Sequence, residues 1–407
     1  MKRQVLSICI LVAVLMWMMP LAFGQSWATG DSRSVSQPSF PSVCETLSAA
    51  GTTSSGSDQT SAITAALSSC AGKGSVVLAS SGSNNAFWTK GFSMSSNETL
   101  VINSGVTLEG NGYSSQLINP SGSNISIMGP GAINGRSSSG NRLINTGTVD
   151  NFIVYDVNLE NAGKMQLYVQ GGSGVTIWDV YFGTTATTTN ADGIDLDSLS
   201  NATVYGSYIN AGDDCVAVKT NNAAASNITV KDSTCHGTHG LSIGSQTFKG
   251  VSNIYFDKNY VYGYDQWGND STYPAAIRIK TDPTCGGTVN EVYYENTCIT
   301  QAKELIWLDT QYGSCSGTAG TPWFKNIIID GVKSQDSQSD AGSRVWGYSS
   351  STVMTLWLQN IDLDVTTYQY GAQYADIGEY NTNLAPSGTG VSSFSTDLGG
   401  SVPSCSF

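Results

Sequence analysis

The feature that most constrains this chain is a short apolar strand, usually opened by Asn, that recurs through its middle. Asn124-Ile-Ser-Ile, Asn151-Phe-Ile-Val, Asn201-Ala-Thr-Val, Asn227-Ile-Thr-Val, Asn253-Ile-Tyr-Phe and Asn326-Ile-Ile-Ile share one pattern, and Gly174-Val-Thr-Ile and Asn290-Glu-Val-Tyr fit the same slot. Starts at 124, 151, 174, 201, 227, 253, 290 and 326 are separated by 27, 23, 27, 26, 26, 37 and 36 residues, and Thr355-Leu-Trp-Leu follows 29 further on. Strands this short, apolar on alternate residues and divided by Gly, Asn and Ser turns, build no core alone. Stacked at a fixed period they bury one continuous interior. Three strands of about 4–6 residues plus their turns need roughly 20–25 residues, so the period predicts an all-β, right-handed parallel β-helix. A β-propeller is the alternative, but its blades need roughly 40–50 residues. The two longer intervals then read as turn insertions, one of them covering residues 262–273.

The stretch Asp58-Gln-Thr-Ser-Ala-Ile-Thr-Ala-Ala-Leu reads as a capped helix with Ile63, Ala66 and Leu67 on one face. Such a helix would cover the open N-terminal end of the solenoid, where an unpaired coil invites edge pairing. No Pro-rich or low-complexity linker divides the chain after Gln25, so residues 25–407 are expected to form one catalytic domain.

Residues 1–24 read as a secretory signal: Lys2 and Arg3, an apolar run from Val5 to Met19, Pro20, then Ala22-Phe23-Gly24. A membrane anchor is the rival reading of the same run. Cys9 would be lost with the signal, leaving Cys44, Cys70, Cys215, Cys235, Cys285, Cys298, Cys315 and Cys405. An even set in an exported chain predicts disulfides, with Cys44–Cys70 and Cys215–Cys235 preferred and the other four unassigned. Charged residues make up only 12% of the chain, the formal net charge is −13 and the pI is near 4.4. That balance argues against nucleic acid and anionic membranes as partners. It permits an acidic substrate if a few cations are gathered at one site. The chain is expected to be secreted and monomeric.

A second stackable set lies between the Asn-led strands: Asp192-Gly-Ile-Asp-Leu-Asp, Asp214-Cys-Val-Ala-Val-Lys, His239-Gly-Leu-Ser-Ile-Gly and Ala275-Ala-Ile-Arg-Ile-Lys. Aligning Ile194/Leu196, Val216/Val218, Leu241/Ile243 and Ile277/Ile279 as inward pairs sends the residues between them outward. Asp195, Ala217, Ser242 and Arg278 then share one row, and Asp197, Lys219, Gly244 and Lys280 the next. Asp192, Asp213, Asp214 and His239 converge at the strand entrances.

Crowded carboxylates raise one another's proton affinity, and one held protonated beside others held ionised suits acid/base hydrolysis of a glycosidic bond. Alone, Asp213-Asp214 could be a turn acid pair or a cation site; its neighbours in adjacent coils favour chemistry. Arg278 and Lys280 suit a substrate carboxylate. Cys235, His236 and His239 lack the companions a zinc site needs. Gly129-Pro-Gly131 has no following helix and reads as turn glycines rather than a nucleotide loop. Sequons at Asn97, Asn124, Asn201, Asn227 and Asn269 are glycan candidates, although three occupy the repeat's own Asn position.

These motifs resemble the polygalacturonase family of pectin-degrading glycoside hydrolases, family 28, across most of residues 40–380. The family's Asn-Thr-Asp motif stands as Asn190-Ala191-Asp192 and its Gly-Asp-Asp motif as Gly212-Asp213-Asp214. Its Gly-His-Gly motif stands as Thr238-His239-Gly240, its Arg-Ile-Lys motif as Arg278-Ile279-Lys280, and a downstream tyrosine matches Tyr312.

The resemblance implies inverting hydrolysis of α-1,4-galacturonosyl bonds in a pectic polysaccharide, with no cofactor and no metal. By that carry-over Asp213 is the general acid and Asp192 and Asp214 activate water. His239 supports Asp213, while Asn190, Arg278, Lys280 and Tyr312 bind substrate. Inversion generally requires the acid and base about 6.5–9.5 Å apart, leaving room for water. Two departures, Ala191 for Thr and Thr238 for Gly, leave the loop shape open and make room for activity on xylogalacturonan or rhamnogalacturonan. The competing classes are a calcium-dependent pectate lyase and a non-catalytic β-helical glycan-binding protein.

Overall fold

The computed structural model describes residues 29–407 except 137–139, 314–319 and 367. Among the described residues thirty strands join one sheet, and every strand-to-strand pairing within it is parallel. Each coil contributes to three ladders, which makes the parallel β-helix and rules out propeller blades, whose sheets are antiparallel meanders. Some strands run through two faces without a break, as in Leu167–Trp178 and Ile194–Tyr205.

The interior is a column of aliphatic and aromatic side chains. Ile194, Leu196, Val216, Val218, Leu241, Ile243, Ile277 and Ile279 are all 0% exposed, which confirms the inward assignment of these pairs. The inward positions of the Asn-led face are filled in the same way by Ala202, Val204, Ile228, Val230, Ile254 and Phe256. Branched aliphatics suit this packing because each sits on a pleated surface between similar neighbours one coil above and below.

The Asn-led slot is a corner. Asn124, Asn151, Asn201, Asn227, Asn253 and Asn326 all have left-handed φ between 50° and 58°, a conformation Asn tolerates better than other non-glycine residues. Their amides form ladders along the axis: Asn227 Nδ2 donates to Asn201 Oδ1 at 3.2 Å and Asn253 Nδ2 to Asn227 Oδ1 at 2.7 Å. Three sequon asparagines, Asn124, Asn201 and Asn227, therefore serve the corner itself. One alignment shifts by a residue. Ile254 pairs with Val292, so the corner following Asn253 is Glu291, with φ 57°, rather than Asn290.

The helix Thr60–Cys70 buries Ile63, Ala66, Leu67 and Cys70 against the first coils. Asp58 Oδ1 accepts the Thr60 N–H at 2.9 Å near its start. The preferred disulfides Cys44–Cys70 and Cys215–Cys235 are both present, and a third, Cys298–Cys405, ties the C-terminal tail back across 107 residues. Cys315 and residues 1–24 lie outside the described residues. Among the described residues no helix is long and apolar enough to cross a membrane.

Residues 29–41 run back over the Asn-led face. Thr29 and Gly30 donate to Asn253 Oδ1 at 2.7 and 3.0 Å, Arg33 donates to the Val175 carbonyl at 2.6 Å, and Phe40 packs on Tyr155. That face is thus occupied, and the face built from Ile194, Val216, Leu241 and Ile277 is left for chemistry.

Candidate active site

Strand register builds the site. Ile144, Leu167, Ile194, Val216 and Leu241 are partners in successive coils. Two residues earlier on each strand, one column runs Arg142, Met165, Asp192, Asp214 and His239. On the strand face, Asn145, Tyr168, Asp195, Ala217, Ser242, Arg278, Trp307 and Arg344 form one row. Coils are spaced by about 4.8 Å, so residues far apart in sequence meet as near neighbours.

Asp192 and Asp214 are nearly buried, at 3% and 2% exposure, and each is held by a lysine. Lys219 Nζ lies 3.0 Å from Asp192 Oδ2 and also pairs with the buried Asp195. Lys280 Nζ donates to both Asp214 oxygens at 2.9 and 3.0 Å, and Ser242 Oγ donates to Asp214 Oδ1 at 2.7 Å. The floor is a layered array of acids and lysines in which Lys219 answers acids of the preceding coil and Lys280 reaches back two coils to Asp214.

Asp213 differs. Its side chain is 22% exposed, and His239 Nδ1 lies 2.8 Å from its Oδ1. Asp213, His239 and Gly212 line a recess of about 510 Å³ with Ala186, Thr187, Thr189, Asp270, Ser271 and Thr272. The last three belong to the insertion, which is pinned to the preceding coils. Asp265 Oδ2 accepts the Ala186 N–H at 2.9 Å, and Gln266 N–H donates to Asn210 Oδ1 at 3.0 Å.

Environment separates the carboxyl groups. Burial raises the Asp192 pKa, partly offset by Lys219 and reinforced by the Asp213 and Asp214 charges. Burial, followed by the Asp192 charge, pushes Asp195 well above the ordinary carboxylate value against the pull of Lys219. Burial acts in the same direction on Asp213, but the His239 hydrogen bond and charge, with Lys280 and Lys219, outweigh it and leave its pKa below the ordinary value. Burial, reinforced by neighbouring acids, therefore raises Asp192 and Asp195, while the contact with His239 helps to lower Asp213.

Arg278 and Lys280 sit beneath Tyr312, at 5.3 and 5.4 Å from its ring centre. Arg278 is 3% exposed and only 3.6 Å from Glu304 Oε2, with Nε and Nη1 lacking any hydrogen-bond partner. Buried guanidinium nitrogens without partners are costly, and an incoming carboxylate would satisfy them. Lys280 is committed to Asp214, a partner the outward-row reading did not foresee. Asn190 is exposed, with φ 55°, at the turn next to Thr189 in the recess wall.

The two departures from the motifs are accommodated. Ala191 is fully buried, and Thr238 is 1% exposed with its Oγ1 accepting the Gly240 N–H at 3.1 Å, so neither intrudes on the cleft. Cys235 is consumed by its disulfide, which breaks the Cys235, His236 and His239 metal set. Asp213, Asp214 and His239 offer ligand atoms within 4.8 Å of one another, but Lys280, Ser242 and the Asp213–His239 contact already engage them. Asp213 and Asp214 thus approach more closely than the separation general for inverting pairs, because they are sequence neighbours at one strand entrance. Residues that sequence reasoning placed in rows without a role are Asp195, Lys219 and Ser242. Glu304 carries no motif signal.

Residues 44–376 match the model of glycosyl hydrolases family 28. The chain belongs to glycosyl hydrolase family 28. It is 31% identical over 360 residues to an endo-polygalacturonase of Pectobacterium carotovorum subsp. carotovorum, covering 77% of this chain and 85% of that one. Its fold is similar to that of the polygalacturonase of Erwinia carotovora ssp. carotovora, with a TM-score of 0.73 and 27% identity, over 87% of this chain and 100% of that one. An endo-xylogalacturonan hydrolase of Aspergillus tubingensis shares the fold at TM-score 0.64 and 21% identity, over 88% of this chain and 100% of that one. Within this glycoside hydrolase family the acid cluster and its recess are the candidate active site.

Proposed function

We propose that this family 28 hydrolase is a secreted, monomeric enzyme that cleaves α-1,4-galacturonosyl bonds of polygalacturonate with inversion, residues 25–407 acting as one catalytic unit. The observation that carries the reading is the contrast between Asp213, open to the recess and bonded to His239, and the lysine-held Asp192 and Asp214 behind it. Asp213, oriented by His239, protonates the leaving oxygen. Asp192 and Asp214 orient and deprotonate the attacking water from the opposite side. Arg278, with its unpartnered nitrogens, binds a galacturonate carboxylate, Lys280 adds charge behind it, and Tyr312 and Asn190 contact sugar. The disulfides support export to an oxidising compartment.

The test is digestion of polygalacturonate at mildly acidic pH with chelator present, followed by chromatography of the products and NMR of the newly formed reducing ends. Saturated oligomers released with inverted anomeric configuration, and lost in Asp213→Asn, are expected. Unsaturated ends would identify a lyase, and binding without products would identify a non-catalytic glycan-binding protein.

A further inference from the structure

We infer that Arg142 and Tyr168 form a distal subsite for a second uronate carboxylate, on the same face as the catalytic acids and toward the N-terminal end. The inference rests on the galacturonan reading above for its substrate class.

The argument starts from register. Arg142 stands in the column of Asp192 and Asp214, two coils from the first and three from the second, which places it about 10 and 14 Å away at a coil spacing of about 4.8 Å. Tyr168 stands in the row of Asp195, Ser242 and Arg278. The Arg142 guanidinium carbon lies 4.9 Å from the centre of the Tyr168 ring. Arg278 makes a contact of similar length with Tyr312, at 5.3 Å, although there the exposed ring covers the buried guanidinium.

The two places share a second trait. Arg278 has buried nitrogens without a hydrogen-bond partner, and so does Arg142 at Nε; beside it on the same strand, Asn145 Oδ1 is buried and equally unpartnered. Among the described residues no carboxylate pairs with Arg142. The platform is rigid, because Tyr168 Oη donates to Asp197 Oδ2 at 2.6 Å and Asn221 Nδ2 donates to that same oxygen at 2.6 Å. A planar guanidinium stacked on a fixed ring, with a free edge in an otherwise acidic chain, recognises a carboxylate. A galacturonan lying along the face from Arg278 to Arg142 spans five coil steps, on the order of 24 Å, so only long oligomers engage both.

The experiment compares trigalacturonate with heptagalacturonate on wild type, Arg142→Ala and Arg142→Lys, by kcat/KM and by calorimetric titration of the heptamer. Arg142→Ala should lower the heptamer-to-trimer ratio of kcat/KM about tenfold and weaken heptamer binding by a similar factor, the loss of a charge-assisted hydrogen bond. Arg142→Lys, keeping charge without the stacked fork, should recover only part. Equal losses on both oligomers, or undiminished heptamer binding in Arg142→Ala, would overturn the subsite. If wild type cleaves neither oligomer, the hydrolase reading fails, while weaker heptamer binding in Arg142→Ala would still uphold the subsite.

Discussion

His239 and Asp213 are joined twice: the imidazole Nδ1 lies 2.8 Å from Asp213 Oδ1, and the His239 N–H donates to the Asp213 carbonyl at 2.8 Å. The backbone bond fixes the spacing of the two strands' entrances, and the side-chain contact holds the Asp213 pKa below its ordinary value against the opposing effect of burial. In His239→Gln the imidazole hydrogen bond and charge that lower it are gone, so the Asp213 pKa should rise. The basic limb of the kcat/KM profile on polygalacturonate should therefore move to higher pH, while loss of the orienting contact should lower its maximum about 10²–10⁴-fold. A profile merely scaled down, with its limb in place, would show that His239 does not set the Asp213 pKa.

Asp192 pays a thermodynamic cost for its position. Its pKa is raised in the folded protein, chiefly by burial. A carboxyl with a raised folded pKa binds its proton more tightly folded than unfolded, so its contribution to stability is lost as pH rises through the window between the two values. Asp192→Asn removes the charge while Lys219 keeps Asp195 as its partner. The variant should be inactive yet melt higher than wild type at pH 7, and the difference should vanish below the ordinary carboxylate pKa. Calorimetry from neutral pH down through the carboxylate range reads this directly; a variant less stable at pH 7 would mean that the Lys219–Asp192 pair outweighs the burial cost.

Much of the fold was legible because two periodicities coincide. The Asn-led corner marks each coil, and strict alternation on Ile194/Leu196 and its equivalents assigns every residue of the catalytic strands to the core or the cleft. The slip at Glu291 shows the limit: an Asn one position early, in a coil of altered length, matches the pattern by letter while Val292 sets the true register. The acids, His239 and Arg278 were legible as a strip for the same reason. Partners were not. Nothing in the row containing Lys219 and Lys280 says that each reaches back to a buried acid, since that depends on side-chain direction across coils. The Cys298–Cys405 link was equally hidden, because the tail's return path leaves no periodic trace.

The Asn corners should be the fold's sensitive points. Asn227 has φ 58°, donates to Asn201 and accepts from Asn253. Placing Ala in the left-handed region costs roughly 1–2 kcal/mol, and the two ladder bonds add about 0.5–1.5 kcal/mol each. Asn227→Ala should thus lower unfolding free energy by about 2–5 kcal/mol, measured by urea denaturation. Asn227→Gly removes the same side chain without the conformational penalty and should lose about 1–2 kcal/mol less. Equal losses in the two variants would place the whole effect in the amide ladder.

Lys280 separates two roles that the row arrangement alone leaves merged. As a pure substrate contact, its removal would raise KM and leave both kcat and stability in place. In the structure its ammonium is buried, lies beneath Tyr312 and bonds both oxygens of the equally buried Asp214. Removing one member of a buried pair leaves the other charge uncompensated, a loss of about 3–5 kcal/mol. It also removes the ammonium that orients both oxygens of Asp214 toward their task as base. Lys280→Met should therefore be markedly less stable and show a lower kcat as well as a higher KM on polygalacturonate. Lys280→Met/Asp214→Asn, with neither charge, should regain much of the stability and none of the turnover. Full stability with a changed KM alone would return Lys280 to a substrate contact and leave Ser242 as the group that holds Asp214.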